Sequence, residues 1–114
     1  MAQQPHESLP IFHDWMDFLE WLLPVTANFP KRVRATFTQR LDNLALDIAE
    51  NLVEVAYLPQ KKAVLQQINR QLEKVRLLLR LAQQLHYLSY PQYEHAMRHL
   101  ATVGKQLGGW IQAQ

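Results

Sequence analysis

Apolar residues along the chain recur at intervals of three and four, and no stretch alternates with period two long enough to make a strand. The pattern predicts an all-α protein. Phe12, Trp15, Phe18, Leu19, Leu22 and Leu23 lay out one face of a first helix from Leu9 or Ile11 to about Ala27, which Pro24 should kink or end. A second helix is expected to start near Pro30, because proline is favoured in a first turn. It presents Val33, Phe37, Leu41, Leu44, Ile48, Leu52 and Val55 as a core stripe. Pro59 interrupts the pattern, so a tight turn over Tyr57 to Gln60 should launch a third helix with the stripe Val64, Ile68, Leu72, Val75, Leu79 and Ala82. In Ser89-Tyr90-Pro91-Gln92 a serine N-cap and a first-turn proline are followed by the glutamine that a capping box places three residues after its cap. The fourth helix begins there and shows Tyr93, Ala96, Met97, Leu100, Val103, Leu107 and Trp110 or Ile111 on one side.

Four helices joined by short turns predict an antiparallel up-down-up-down four-helix bundle as a single domain over residues 1–114, with 1–8 a flexible N-terminal segment. The second and third helices would span about 28 residues each, or roughly 42 Å at the α-helical rise, while the first is much shorter. Leu46, Ala49 and Val53 form a further apolar stripe behind the core face of the second helix, as do Leu77, Leu81, Leu85 and Leu88 on the third. A bundle helix touches two neighbours and carries a wide apolar arc for that reason. The surplus also suits contacts between subunits, so an oligomer is expected. Gly104 and Gly108 make a G-x-x-x-G spacing inside the fourth helical pattern; glycine there costs about 1 kcal/mol relative to alanine, which points to close helix approach or a kink.

Composition narrows the compartment. Of 114 residues, 48% are hydrophobic and only nine are glycine or proline (three and six), enough apolar content for one core and too little Gly and Pro for a collagen-like or linker chain. With no cysteine, a disulfide framework, a thiolate zinc site and a cysteine nucleophile are all excluded. The first residues lack the basic flank and apolar stretch of a signal peptide, and apolar runs fall far short of the ~20 residues of a membrane span. A cytoplasmic protein with no membrane partner is expected.

Charge is polarised along the chain although twelve Lys+Arg against ten Asp+Glu sum to only +2. Residues 1–28 carry Glu7, Asp14, Asp17 and Glu20 without a Lys or Arg, whereas residues 59–88 carry Lys61, Lys62, Arg70, Lys74, Arg76 and Arg80 against Glu73 alone. At 3.6 residues per turn Lys62, Asn69, Arg76, Arg80 and Gln83 fall on one polar side of the third helix, and Arg34 and Arg40 flank the stripe of the second. Arg34, Arg40, Lys62, Arg76 and Arg80 are therefore the candidate nucleic-acid-binding residues. Arginine forks suit phosphate oxygens, and the scarcity of interleaved aromatic residues argues for backbone contacts rather than base stacking. A solvated, salt-bridged face is the competing reading of the same residues.

No catalytic constellation emerges. His95 and His99 stand at i and i+4, as many metal sites require, but Glu94 precedes them, so the run is not H-E-x-x-H, and no third ligand is fixed by spacing. A solvated or subunit-edge pair is the reading adopted, with no metal or cofactor. Ser89 is accounted for by capping. Asp14, Asp17 and Glu20 read as the solvated face of the first helix, favourably placed near its positive end.

Phe29-Pro30-Lys31 followed by Arg34, Phe37 and Arg40-Leu41, the run Val75 to Ala82, Ser89 with Gln92-Tyr93-Glu94, and the tail Val103 to Trp110 together resemble the accessory variability determinant (Avd) family of diversity-generating retroelements over about residues 11–112. Related four-helix proteins are encoded within intervening sequences of bacterial large-subunit ribosomal RNA genes, and a structural or protein-protein adaptor of that kind is the alternative. The resemblance implies a four-helix bundle that assembles as a barrel-shaped homopentamer. It further implies a non-catalytic protein whose basic surface binds nucleic acid, RNA or DNA, together with the retroelement reverse transcriptase. In such a system the enzyme copies a template-repeat RNA with errors at adenines. The family's basic residues carry over to Arg34, Arg40, Arg76 and Arg80.

Overall fold

A computed structural model describes residues 5–114 of the chain. Its four long helices are α1 (Pro10–Thr26), α2 (Gln39–Tyr57), α3 (Lys62–Gln84) and α4 (Tyr90–Gln112), with no strand among the described residues. Each helix packs on the next and α4 closes against α1, the neighbour order of an antiparallel four-helix bundle. Every helix contributes to a single core: Trp15, Phe18 and Leu22 from α1, Leu41, Ile48 and Leu52 from α2, Leu65, Leu72 and Leu79 from α3, and Leu100 from α4 are all sealed from solvent. Such burial stabilises the fold by about 1.5–3 kcal/mol per large side chain. Trp15 is admitted to this core because its indole N–H donates to the Ala45 carbonyl at 2.9 Å, so that no polar group is left unpaired.

The entry to α2 differs from the expected continuous helix. From Pro30 the chain makes a 3-10 turn over Lys31–Val33 and a π turn over Arg34–Thr38 before regular α-helix begins at Gln39. A π turn holds more residues than an α turn, so it shifts the phase of the apolar stripe. Thr38, Leu41, Ala45, Ile48, Leu52 and Val55 are buried, while Val33, Phe37 and Leu44 are only half-buried. The two turns take up the start of the expected second helix, so α2 has 19 residues; α3, running from Lys62 to Gln84, has 23, and both are shorter than the ~28 read from the apolar pattern.

The other connections follow local chemistry. Pro24 sits inside the last turn of α1, which ends at Thr26. Pro59 lies outside α3, in the link after Tyr57, where Lys61 Nζ donates to the carbonyls of Leu58 and of Val55 (3.2 Å for the latter) and so caps the C-terminus of α2. At the end of α3, His86 takes a left-handed φ of 64° while the Tyr87 amide bonds the Ala82 carbonyl at 2.8 Å and the His86 amide bonds Gln83 at 3.1 Å. That is a Schellman turn with histidine where glycine is usual. It swings Leu88 inward to 1% exposure, which separates it from Leu77, Leu81 and Leu85 of the expected stripe, all of them exposed. The capping box forms as expected: the Gln92 amide donates to Ser89 Oγ at 3.2 Å and the Ser89 amide to Gln92 Oε1 at 3.0 Å.

Of the N-terminal segment, residues 1–4 lie outside the described residues, and Pro5–Ser8 forms a 3-10 turn that packs on α1 and α2. Phe29, Phe37 and Tyr87, ring centroids 5.6–6.2 Å apart, close the end of the bundle where α2 begins and α3 finishes. Among the described residues no helix is long and apolar enough to cross a membrane.

Candidate nucleic-acid interface

The fold distributes the five candidate cations over three places. Arg34 lines a groove between α1 and α2 with Leu23, Asp42 and Leu46, and belongs to the π turn that leads into α2. Arg40, in the first turn of α2, lines the neighbouring groove between α2 and α3 with Phe37, Leu44, Leu78 and Leu81. Arg80 stands exposed near the end of α3, and because α2 and α3 are antiparallel it lies toward the same end of the bundle as Arg34 and Arg40. Lys62 opens α3 at the opposite end, 18 residues and therefore about 27 Å from Arg80.

Arg76 has a packing role as well as a charge. Its Nη2 donates to the Leu100 carbonyl of α4 at 3.0 Å and its Nη1 pairs with Glu73 on α3, leaving the side chain 31% exposed. The guanidinium crosses α4 directly over Gly104, where an added Cβ would stand 2.7 Å from Nη2. This accounts for Gly104 as a close-approach glycine. Gly108, its partner in the G-x-x-x-G spacing, has nothing within 4 Å of a built Cβ, so no close approach within the chain explains it.

That crossing creates a shallow polar groove along the α3/α4 seam, lined by Asn69, Arg76, Ala101, Thr102, Gly104 and Lys105. The charge pattern along α3 does not single out Lys105, because it belongs to another helix. Its signal in the sequence is its place next to Gly104 on the polar side of α4. Arg98, seven residues earlier on the same outer side, completes the helix's basic face and is held only loosely by Glu94 at 4.0 Å, both side chains being more than half exposed.

The α2/α3 groove has a different character. Leu78 and Leu81 form one wall and Leu44 and Phe37 the other, with Arg40 and Asp47 at the rim. Leu77 (62% exposed) and Leu85 (47%) extend the apolar row of α3 beyond it. Such a surface suits a protein partner better than a phosphate chain.

The histidine pair is not simply solvated. His95 and His99, ring centroids 4.8 Å apart, are half-buried in the α1/α4 seam, with His95 4.6 Å from Trp21 and His99 5.7 Å from Phe18. Loss of solvent, and after it the neighbouring His99 and Arg98, lowers the pKa of His95. No group of three His, Cys, Asp or Glu able to hold a metal occurs among the described residues. Of the acidic row on α1, Asp17 and Glu20 are exposed, whereas Asp14 is half-buried and accepts a hydrogen bond from Gln106 at 2.5 Å, tying α1 to α4.

A family model described as bAvd-like matches residues 11–114, nearly the whole described chain. No curated protein matches it.

Proposed function

The chain belongs to the bAvd-like family, and from that premise we propose that it binds nucleic acid and a reverse transcriptase so as to support mutagenic copying of a template RNA. Membership itself implies a non-catalytic accessory protein of a diversity-generating retroelement. On this reading exposed cations dock phosphate backbones, RNA or DNA, without chemistry of their own. Homopentamer assembly repeats each patch around a barrel and raises avidity without new contact types. The observation that carries the reading is the gathering of Arg34, Arg40 and Arg80 toward one end of a bundle whose family is that of retroelement accessory proteins. The exposed row Leu77, Leu81 and Leu85 supports protein docking beside it, either between subunits or with the polymerase.

The test is a salt titration of binding to a labelled RNA, comparing the unmodified protein with the combined Arg34→Gln, Arg40→Gln, Arg80→Gln variant. Removing one cation from a phosphate reduces the magnitude of the log-log slope by about 0.7 to 0.9. A shallower slope, with oligomer size and helicity unchanged, supports the reading. An unchanged slope and affinity at every salt concentration would replace it with the adaptor function, in which these residues are a solvated face. Co-purification with a co-expressed reverse transcriptase of a diversity-generating retroelement tests the second partner.

A further inference from the structure

We infer that the α3/α4 seam is a phosphodiester-binding track in which Lys105 is a direct phosphate contact and the Arg76 guanidinium is held in place for the same purpose. The inference rests on the nucleic-acid reading above and specifies where on the bundle the backbone lies. It starts from Arg76. An arginine on a helix surface ordinarily samples many rotamers, but this one is fixed at both nitrogens by the Leu100 carbonyl and by Glu73. Two of its five N–H groups are used in those bonds, so the others remain for a ligand. Gly104 keeps the space under Nη2 clear. The planar fork is thus presented in a set position, which reduces the ordering cost of binding an anion.

Lys105 stands at the same level, lining the same groove with Asn69 and Thr102. Antiparallel register, set by Arg76 opposite Leu100 and Gly104, brings Arg80 of α3 to the level of Arg98 of α4. The seam therefore carries two rungs of two cations, Arg76 with Lys105 and Arg80 with Arg98. Along the axis the two arginines of α3, four residues apart, are separated by about 6 Å, and Arg98 and Lys105 of α4, seven residues apart, by about 10.5 Å. Two carboxylates, Glu73 and Glu94, accompany the four cations; both are more than half exposed, and Glu94 is 4.0 Å from Arg98. Four positive against two negative charges leave the track positive.

The chemistry of the lining favours a phosphate chain over a peptide. Between the rungs the floor is Ala101, Gly104 and Thr102, too small to anchor an apolar side chain, whereas the α2/α3 groove on the other side of α3 supplies leucines and a phenylalanine. The two grooves divide the work: the seam suits a polyanion and the leucine groove suits protein.

The experiment uses the full chain with two labelled probes, a single-stranded RNA oligonucleotide and a linear polyphosphate of matched charge, each titrated against salt by fluorescence anisotropy. The variants are Lys105→Gln, the pair Arg80→Gln with Arg98→Gln, and Arg70→Gln, which removes an exposed cation of α3 outside the seam. Removal of a single phosphate contact to a single strand, at a slope of about 0.7, weakens binding about fivefold at 0.1 M salt. Lys105→Gln is expected to show that weakening with both probes, the pair a larger one, and Arg70→Gln none. If Lys105→Gln binds like the unmodified protein while Arg34→Gln or Arg40→Gln weakens binding, the backbone lies at the start of α2 and the seam inference is overturned with the general reading intact. An equal weakening from Arg70→Gln overturns it too, since binding would then be diffuse. If polyphosphate alone is bound, and Lys105 matters, the seam stands as an anion site and the nucleic-acid reading falls. Failure of the unmodified protein to bind either probe removes both. Circular dichroism and light scattering of each variant separate these results from misfolding.

Discussion

Replacing Gly104 by alanine sets two effects of opposite sign against each other. Alanine is the better helix residue by about 1 kcal/mol, so an unobstructed substitution would stabilise α4. The new methyl group, however, would stand 2.7 Å from Arg76 Nη2, closer than carbon and nitrogen tolerate, whereas its 3.7 Å approach to Leu72 Cδ2 is ordinary contact. The guanidinium, the far end of a flexible side chain, must therefore shift, and its bond to the Leu100 carbonyl is expected to be lost with that shift. A charge-assisted bond of this kind is worth about 1.5–3 kcal/mol, and the lower end applies because water replaces it at a side chain that is 31% exposed. Subtracting the helix gain leaves Gly104→Ala about 0.5 kcal/mol less stable than the unmodified protein. In an Arg76→Ala background the obstacle is gone, and the same substitution should stabilise by about 1 kcal/mol, so the coupling energy of the pair is about 1.5 kcal/mol. Urea denaturation followed by circular dichroism, with all four proteins at one concentration so that any association is held constant, measures this cycle. Stabilisation by about 1 kcal/mol in both backgrounds would refute the account of Gly104 as the residue that makes room for Arg76.

Ser89→Ala removes the Oγ that accepts from the Gln92 amide, the side-chain arm of the capping box at the start of α4, and should cost about 1 kcal/mol, read as a lower urea midpoint with unchanged slope. His86→Gly relieves a left-handed backbone at the Schellman position and should raise stability by about 0.5–1 kcal/mol; a decrease would mean that the His86 side chain makes a stabilising contact. Burial raises the pKa of Asp42 against the opposing hydrogen bond from Thr26, so the folded state holds that proton more tightly than the unfolded one. The stabilisation this gives exists at low pH and is lost as pH rises above about 4. Asp42→Asn should therefore gain relative to the unmodified protein as pH is raised from 3 to 7. The pKa of His95 is lowered, so its contribution is present above about pH 6.5 and is lost as pH falls below that value. His95→Gln should flatten the acid side of the stability profile, and an unchanged pH slope would show that His95 does not titrate differently on unfolding.

Much of the architecture is legible along the chain because it depends on contacts between residues three and four apart. The stripe Ile68, Leu72, Val75, Leu79 and Ala82 is buried as its spacing requires, and Ser89 with Gln92 announces α4 because both arms of a capping box lie within four residues. Local pattern also marks Arg34, Arg40, Lys62, Arg76 and Arg80 as cations on polar faces. What it lacks is any term for how helices approach one another. The π turn over Arg34–Thr38 shifts the stripe of α2, and the pattern of apolar residues continues across it without a break. Leu88 is buried because a Schellman turn with histidine, lacking the usual glycine signal, reverses the chain there. The histidines at 95 and 99 are half-buried because α1 supplies Trp21 and Phe18 from more than seventy residues away. Arg76 and Lys105 share a groove only because α3 and α4 are antiparallel and Gly104 lets the guanidinium cross. Sequence determines which side chains are available on each face, while the packing of one face on another decides which of them meet.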